Sequence, residues 1–179
     1  MKEAFRSSYT WQESGEYTKA IKALKDVYSE DHYILNLRLG WLSYQNGSFT
    51  ESMAYYQRAI GLKPYSLEPR FGITFPASAL GNWNLVVNQY EKILEIDPQN
   101  TIAHYKLGLY YYNNEVYDKA FTHFEKIVNL YPFDYDGLIM YAWTNLKLGK
   151  LREAGVLFRQ VLLYNPEDES AIEGLKWVQ

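Results

Sequence analysis

Three histidines, His32, His104 and His123, are the side chains best suited to metal ligation or proton transfer. His104 and His123 fall on different predicted helices, with no carboxylate at metal-ligand spacing, so they read as structural or surface residues. The sequence contains no His-Glu-x-x-His, no glycine loop ending in Lys-Ser/Thr and no Gly-x-Ser-x-Gly. The run Glu167-Asp168-Glu169 opens a predicted helix, where the helix dipole favours negative charge. Lys19, Lys22 and Lys25 read as one solvated helix face. No catalytic residue, metal or cofactor is expected, which leaves non-covalent binding. The candidates for that are rings and aliphatic groups: Tyr9, Trp41, Phe75, Leu109 and Trp143 recur at a nearly fixed interval.

That interval belongs to a 34-residue unit. With Tyr33 as position 1, Gly40 falls at 8, Gly47 at 15, Ala59 at 27 and Pro64 at 32, and Pro98, Pro132 and Pro166 each follow 34 residues after the last. A fixed period of this length predicts stacked helical hairpins, each unable to bury its apolar stripe alone. The units are 1–32, 33–66, 67–100, 101–134 and 135–168, with a lone helix over 169–179. The first is two residues short and lacks the proline.

Punctuation predicts two helices per unit. Ser66, Asn100, Asp134 and Asp168 are suited to cap helix A, and Gly15, Gly47, Gly81 and Gly149 to end it. Glu115 breaks the glycine set, so Asn113 or Asn114 is expected to take the left-handed conformation there. Thr18, Thr50, Asn84 and Asp118 are the expected caps of helix B. Position 8 is small (Ser8, Gly40, Thr74, Gly108, Ala142), and position 24 is bulky (Leu24, Tyr56, Tyr90, Phe124, Phe158). In the last helix Ala171, Ile172 and Leu175 are expected to face inward, leaving Trp177 exposed.

The small residue at 8, Gly near 15, aromatic at 17, Ala at 20, aromatic at 24, Ala at 27 and Pro at 32 together resemble the tetratricopeptide repeat family. The resemblance implies an all-α, right-handed α-solenoid of antiparallel helix pairs with a C-terminal capping helix, acting as a protein-interaction scaffold. The family usually places Trp at position 4, where this chain has Ala4, Asn36, Arg70, His104 and Leu138. The RNA-binding pentatricopeptide repeat is one residue longer and needs polar residues on helix A, which the apolar position 5 does not supply.

By the same resemblance, helix A lines a concave face that binds peptides through positions 2, 5, 9, 12 and 13. Position 5 carries Phe5, Leu37, Phe71, Tyr105 and Ile139; position 9 carries Tyr9, Trp41, Phe75, Leu109 and Trp143. Position 12 adds Tyr44 and Tyr112. Positions 5 and 12 can also pack between neighbouring A helices, whereas position 9 points to the groove. The family's clamp for acidic tails uses Lys at 5 and Asn at 9. Here those positions are apolar; only Arg6, Arg38 and Lys106 at position 6 resemble it, while Glu68 and Asp136 at position 2 oppose it. A ligand with apolar anchors suits this face better. One A helix is irregular: Gly72 and Pro76 predict a kink near Phe71 and Phe75, since proline costs a helix interior about 3 kcal/mol.

Bulk composition agrees with a binding scaffold. Of 179 residues 47% are hydrophobic, enough for a core, and 18 basic against 21 acidic residues leave a net charge of −3. That balance gives no electrostatic footprint for nucleic acid, and no apolar run is long enough for membrane insertion. The absence of cysteine excludes disulfides and thiol chemistry. No apolar segment follows Met1 to Phe5, so no signal peptide is expected; a mature exported chain would read the same, and the compartment stays open. The expected function is a non-catalytic adaptor binding a protein or peptide in an aromatic groove. A self-assembling module, with homo-oligomers, and a carrier of a small hydrophobic ligand are the alternatives.

Overall fold

The computed structural model describes residues 1–178, and all regular structure among them is α-helical. Helices α1 (Lys2–Glu13) and α2 (Tyr17–Lys25) form the first hairpin, α3 (Tyr33–Gln45) and α4 (Phe49–Leu62) the second, and α5 (Leu67–Ala79) and α6 (Trp83–Ile96) the third. Helices α7 (Thr101–Asn113) and α8 (Tyr117–Leu130), then α9 (Tyr135–Lys147) and α10 (Leu151–Tyr164), form two more, and α11 (Glu169–Lys176) is unpaired. Two compact units divide the chain, Met1–Ile96 and Asp97–Gln179, so the division falls at the end of α6, in the loop that closes the third repeat. In the first, α1 to α6 pack in order and α3 also touches α5; in the second, α7 to α11 pack in order and α9 also touches α11.

One turn, used five times, links the two helices of each hairpin. The residue at position 15 is left-handed in every case: Gly15, Gly47, Gly81 and Gly149, and also Glu115 with φ 61°. Its N–H bonds to the carbonyl at position 12, as from Gly47 to Tyr44, and the next N–H bonds to position 11, as from Ser48 to Ser43 at 2.8 Å. This paired 5→2 and 6→1 closure is the Schellman motif. Glu115 itself makes the turn, not Asn113 or Asn114. Asn114 keeps a negative φ and donates its side-chain amide to the Tyr110 carbonyl.

Because that closure sets where helix B begins, the predicted caps at position 18 are displaced. Thr18, Thr50, Asn84 and Asp118 lie inside their helices; the residues before them at position 16 are Glu16, Ser48, Val116 and Lys150, none using its side chain, and Asn82, whose side-chain oxygen accepts from the Leu85 N–H at 3.2 Å. For helix A, Asn100, Asp134 and Asp168 do cap, accepting from the backbone N–H three residues on. Ser66 does not: its hydroxyl is spent on that of Tyr33 at 2.7 Å.

The core is built around the ring at position 24, seated between position 8 of its own helix A and position 6 of the next. Tyr56 rests on Gly40 and on Gly72, where a Cβ would come to 3.1 and 2.3 Å of the ring. Phe158 meets Gly174, where a Cβ would lie at 2.2 Å, and Phe124 presses on Gly108. The pairs α3 with α5 and α9 with α11 are those whose second helix carries glycine at position 6. Phe124 and Phe158 are fully buried, each worth about 1.5–3 kcal/mol of hydrophobic stabilisation. Helix α5 runs continuously from Leu67 to Ala79 through the buried Pro76. In α11, Ala171 and Gly174 are buried and Leu175 half-buried, but Ile172 is exposed rather than inward.

Candidate binding cleft

In the first unit, α1, α3, α4 and α5 enclose an open cleft of about 530 Å³. Position 9 supplies its rim: Tyr9 is 52% and Phe75 49% exposed, and Trp41 is half-buried between them in sequence. Ring contacts organise this rim. Trp41 meets Phe75 edge-on at 6.4 Å and Tyr44 at 5.9 Å; Tyr44 meets Phe75 at 5.6 Å and Phe49 at 5.8 Å. Position 5 supplies deeper surface, with Leu37 buried and Phe5 and Phe71 half-buried, Phe71 braced edge-on against Tyr90.

Polar groups enter the same cleft: Arg38 and Glu68, from positions 6 and 2 of the A helices, and Tyr56, whose position 24 reads in sequence as core. Arg38 stacks its guanidinium 3.9 Å above the Tyr9 ring and donates at 3.4 Å to the hydroxyl and carbonyl oxygens of Ser8. Burial pushes its pKa down, with no carboxylate paired to it among the described residues. Glu68, in the first turn of α5, lines the cleft and forms no ion pair among the described residues. Tyr56, only 4% exposed, also lines it. Burial, reinforced by Glu68, pushes the Tyr56 hydroxyl pKa up, so it remains a protonated donor. At Tyr90, the equivalent hydroxyl reaches Thr74 at 3.4 Å. Tyr56 faces Gly40 instead, which offers no hydroxyl, and its own hydroxyl is not among the buried polar atoms left without a partner. The exchange of Tyr for Phe at position 24 was the signal in sequence for this polar floor.

In the second unit the corresponding residues are drawn into packing. Ile139 is buried; Tyr105 packs edge-on against Phe124 at 6.1 Å, and Tyr112 against Tyr117 at 5.4 Å. Leu109 lies against the core around Ala120, Phe124 and Ile127. Trp143 sits on Phe158 at 5.1 Å and donates its indole N–H to Ser170 of α11 at 2.9 Å. Of the twelve expected groove residues, those of the first unit therefore gather around one cleft, while these five do not take part in it.

His104 and His123 meet, which sequence spacing did not reveal: their Nδ1 atoms are 3.0 Å apart. His104 Nε2 lies 3.1 Å from the Pro98 carbonyl, an acceptor only, so Nε2 carries the proton and Nδ1 accepts from His123. The same positions in the preceding hairpin make the same contacts. Arg70 donates to the Pro64 carbonyl at 2.8 Å and to Gln89 at 3.0 Å. The histidines thus fill a structural tie between a loop and two helices. Among the described residues no group of three or more His, Cys, Asp or Glu is placed to hold a metal.

A fold of stacked hairpins with an aromatic cleft on its A helices defines a helical-repeat interaction scaffold. Two tetratricopeptide repeat family models match the chain, over residues 12–66 and 103–134. Together with one curated relative, these matches support a tetratricopeptide repeat family assignment. It is 30% identical over 100 residues to Tetratricopeptide repeat protein 1 of Schizosaccharomyces pombe, a match that spans 46% of this chain and 9% of that protein. Among solved structures, a tetratricopeptide repeat protein from Parabacteroides merdae superimposes with a TM-score of 0.81 at 21% identity, covering 99% of this chain and 71% of that one. MamA from Desulfovibrio magneticus gives 0.75 at 17% identity, over 94% and 96% of the two chains. At these identities the likeness shows the fold alone. The family is one of interaction scaffolds, generally non-catalytic, with protein partners. No helix among the described residues is long and apolar enough to cross a membrane.

Proposed function

We propose that the chain is a non-catalytic adaptor that receives a peptide segment, through apolar anchors, in the cleft of its first unit. The observation that carries this reading is the cleft itself: rings of Tyr9, Trp41 and Phe75 left open to solvent around about 530 Å³. A whole aromatic side chain presents about 150–250 Å², so these rings, two about half exposed and one less so, present roughly 200–300 Å², close to the apolar patch an isolated protein ordinarily exposes. An anchor side chain seated among them would dominate the affinity. Trp41→Ala combined with Phe75→Ala tests it by calorimetry against a peptide selected on the wild-type protein. Affinity is expected to fall by at least about tenfold, as for hot-spot truncation, with helicity unchanged. Unaltered affinity overturns the reading. Recovery of a small apolar ligand bound in the cleft would replace it by the carrier reading.

Self-association is a second reading, and a different surface favours it. On the second unit, Val156, Leu163 and Tyr164 of α10 are exposed, Leu163 at 81%, with Phe133 packed edge-on to Tyr164. Light scattering over a concentration series separates the two readings. A mass that doubles with concentration, and that Leu163→Glu returns to the monomer, supports association through α10.

A further inference from the structure

The cleft is not uniformly apolar, and its polar groups are arranged asymmetrically. Helix α3 contributes Arg38, half-buried, charged and held flat on Tyr9, with only two 3.4 Å contacts to Ser8. Helix α5 contributes Glu68, and helix α4 contributes Tyr56, whose ring is buried and whose hydroxyl makes no protein hydrogen bond among the described residues but is not sealed from solvent. Arg38 already sits in an apolar, partly desolvated wall, where a charge costs free energy unless something answers it; Glu68 is exposed in the free chain and loses water only when the cleft is covered. Arg38 and Glu68 do not answer each other. Whatever fills the cleft takes both from water, so it must bring one charge of each sign.

We propose that the cleft selects a bipolar peptide segment: one apolar side chain seated against Trp41, Phe71 and Phe75, with a carboxylate on the Arg38 side and a cationic side chain on the Glu68 side. The Tyr56 hydroxyl donates to a backbone carbonyl of that segment. The planar guanidinium suits a carboxylate, to which it can donate two parallel hydrogen bonds. Glu68, on the neighbouring A helix, repels that same carboxylate, so the two charges fix the direction in which the segment lies. This inference rests on the adaptor reading of the cleft and adds the chemistry and polarity of its ligand.

The test is a phage-displayed library of random dodecapeptides selected on the full chain at low ionic strength. Wild-type protein is expected to enrich an apolar residue flanked by an acid on one side and a base on the other, in one constant order. Glu68→Lys should exchange the base for an acid, and the pair Arg38→Glu with Glu68→Arg should reverse the order. The best wild-type peptide, resynthesised, should bind Glu68→Lys at least about tenfold more weakly, because like charges then face each other. Glu68 is exposed in a first helical turn, so its variant folds even if the Arg38 variant does not. Peptides with apolar anchors but no charge order, lost on Phe75→Ala, overturn this inference and leave the adaptor reading standing. Recovery of no peptides, or of peptides indifferent to Phe75→Ala, overturns both.

Discussion

The ring of Tyr56 is seated on the backbone of Gly72, so closely that a Cβ at that position would lie 2.3 Å from it. The contact ties α4 to α5 and makes both Tyr56 and Gly72 part of the lining of the cleft. Gly72→Ala is therefore expected to destabilise the protein by about 1–3 kcal/mol, the usual range for overpacking, despite alanine's better helix propensity. Gly61→Ala is the control. It lies in α4 with open space around its Cα, and should stabilise by about 0.5–1 kcal/mol. Urea denaturation of the two variants checks the difference in sign.

Glu115 occupies the left-handed turn that glycine fills in the other four hairpins. An L-residue there costs roughly 1–2 kcal/mol; glycine removes that strain, but the greater entropy it gives the unfolded chain cancels part of the gain. Glu115→Gly should raise stability by up to about 1 kcal/mol, and Gly47→Ala should lower it by a similar amount. Thermal denaturation by circular dichroism reads both.

Burial, then the neighbouring His104 and Lys119, holds His123 down to about 4; burial likewise lowers His104, with Lys126 opposing its charge and Asp97 favouring it. In the unfolded chain both titrate near 6.5. Between those values the unfolded chain binds more protons, so stability is expected to fall as pH drops from about 6.5 towards 4. His123→Asn keeps a donor near the Nδ1 position without a titrating ring, and should flatten that part of the stability–pH curve. A curve identical to wild type would mean that the pair is not what acid disrupts.

Trp143 shares position 9 with Trp41 but is committed to α11 through Ser170. Trp143→Phe should cost about 1 kcal/mol of stability, the usual worth of one hydrogen bond, and leave binding of a cleft peptide unchanged. Calorimetry beside urea denaturation distinguishes it from the Trp41 and Phe75 variants.

Local rules written into the repeat predicted the helices and four of the five left-handed turns. The rest depended on partners distant in sequence. Position 18 looks like a cap because Thr, Asn and Asp favour caps, yet the turn closes through backbone bonds and begins the helix at position 17. Gly72 reads as a helix breaker until the ring from the previous hairpin is set upon it. Trp143 reads as a groove residue until Ser170 arrives from α11. His104 and His123 read as unrelated, although Arg70 and Gln89 show that positions 4 and 23 of one hairpin lie within reach. Arg38 was visible at position 6, but its stacking on Tyr9 depends on the packing of two A helices.

The seat that Gly174 provides for Phe158 gives α11 a role out of proportion to its length. A chain cut before Glu169 would leave a fully apolar ring and the lower face of Trp143 bare at one end of the second unit. Such an end is an apolar surface that the intact second unit keeps covered.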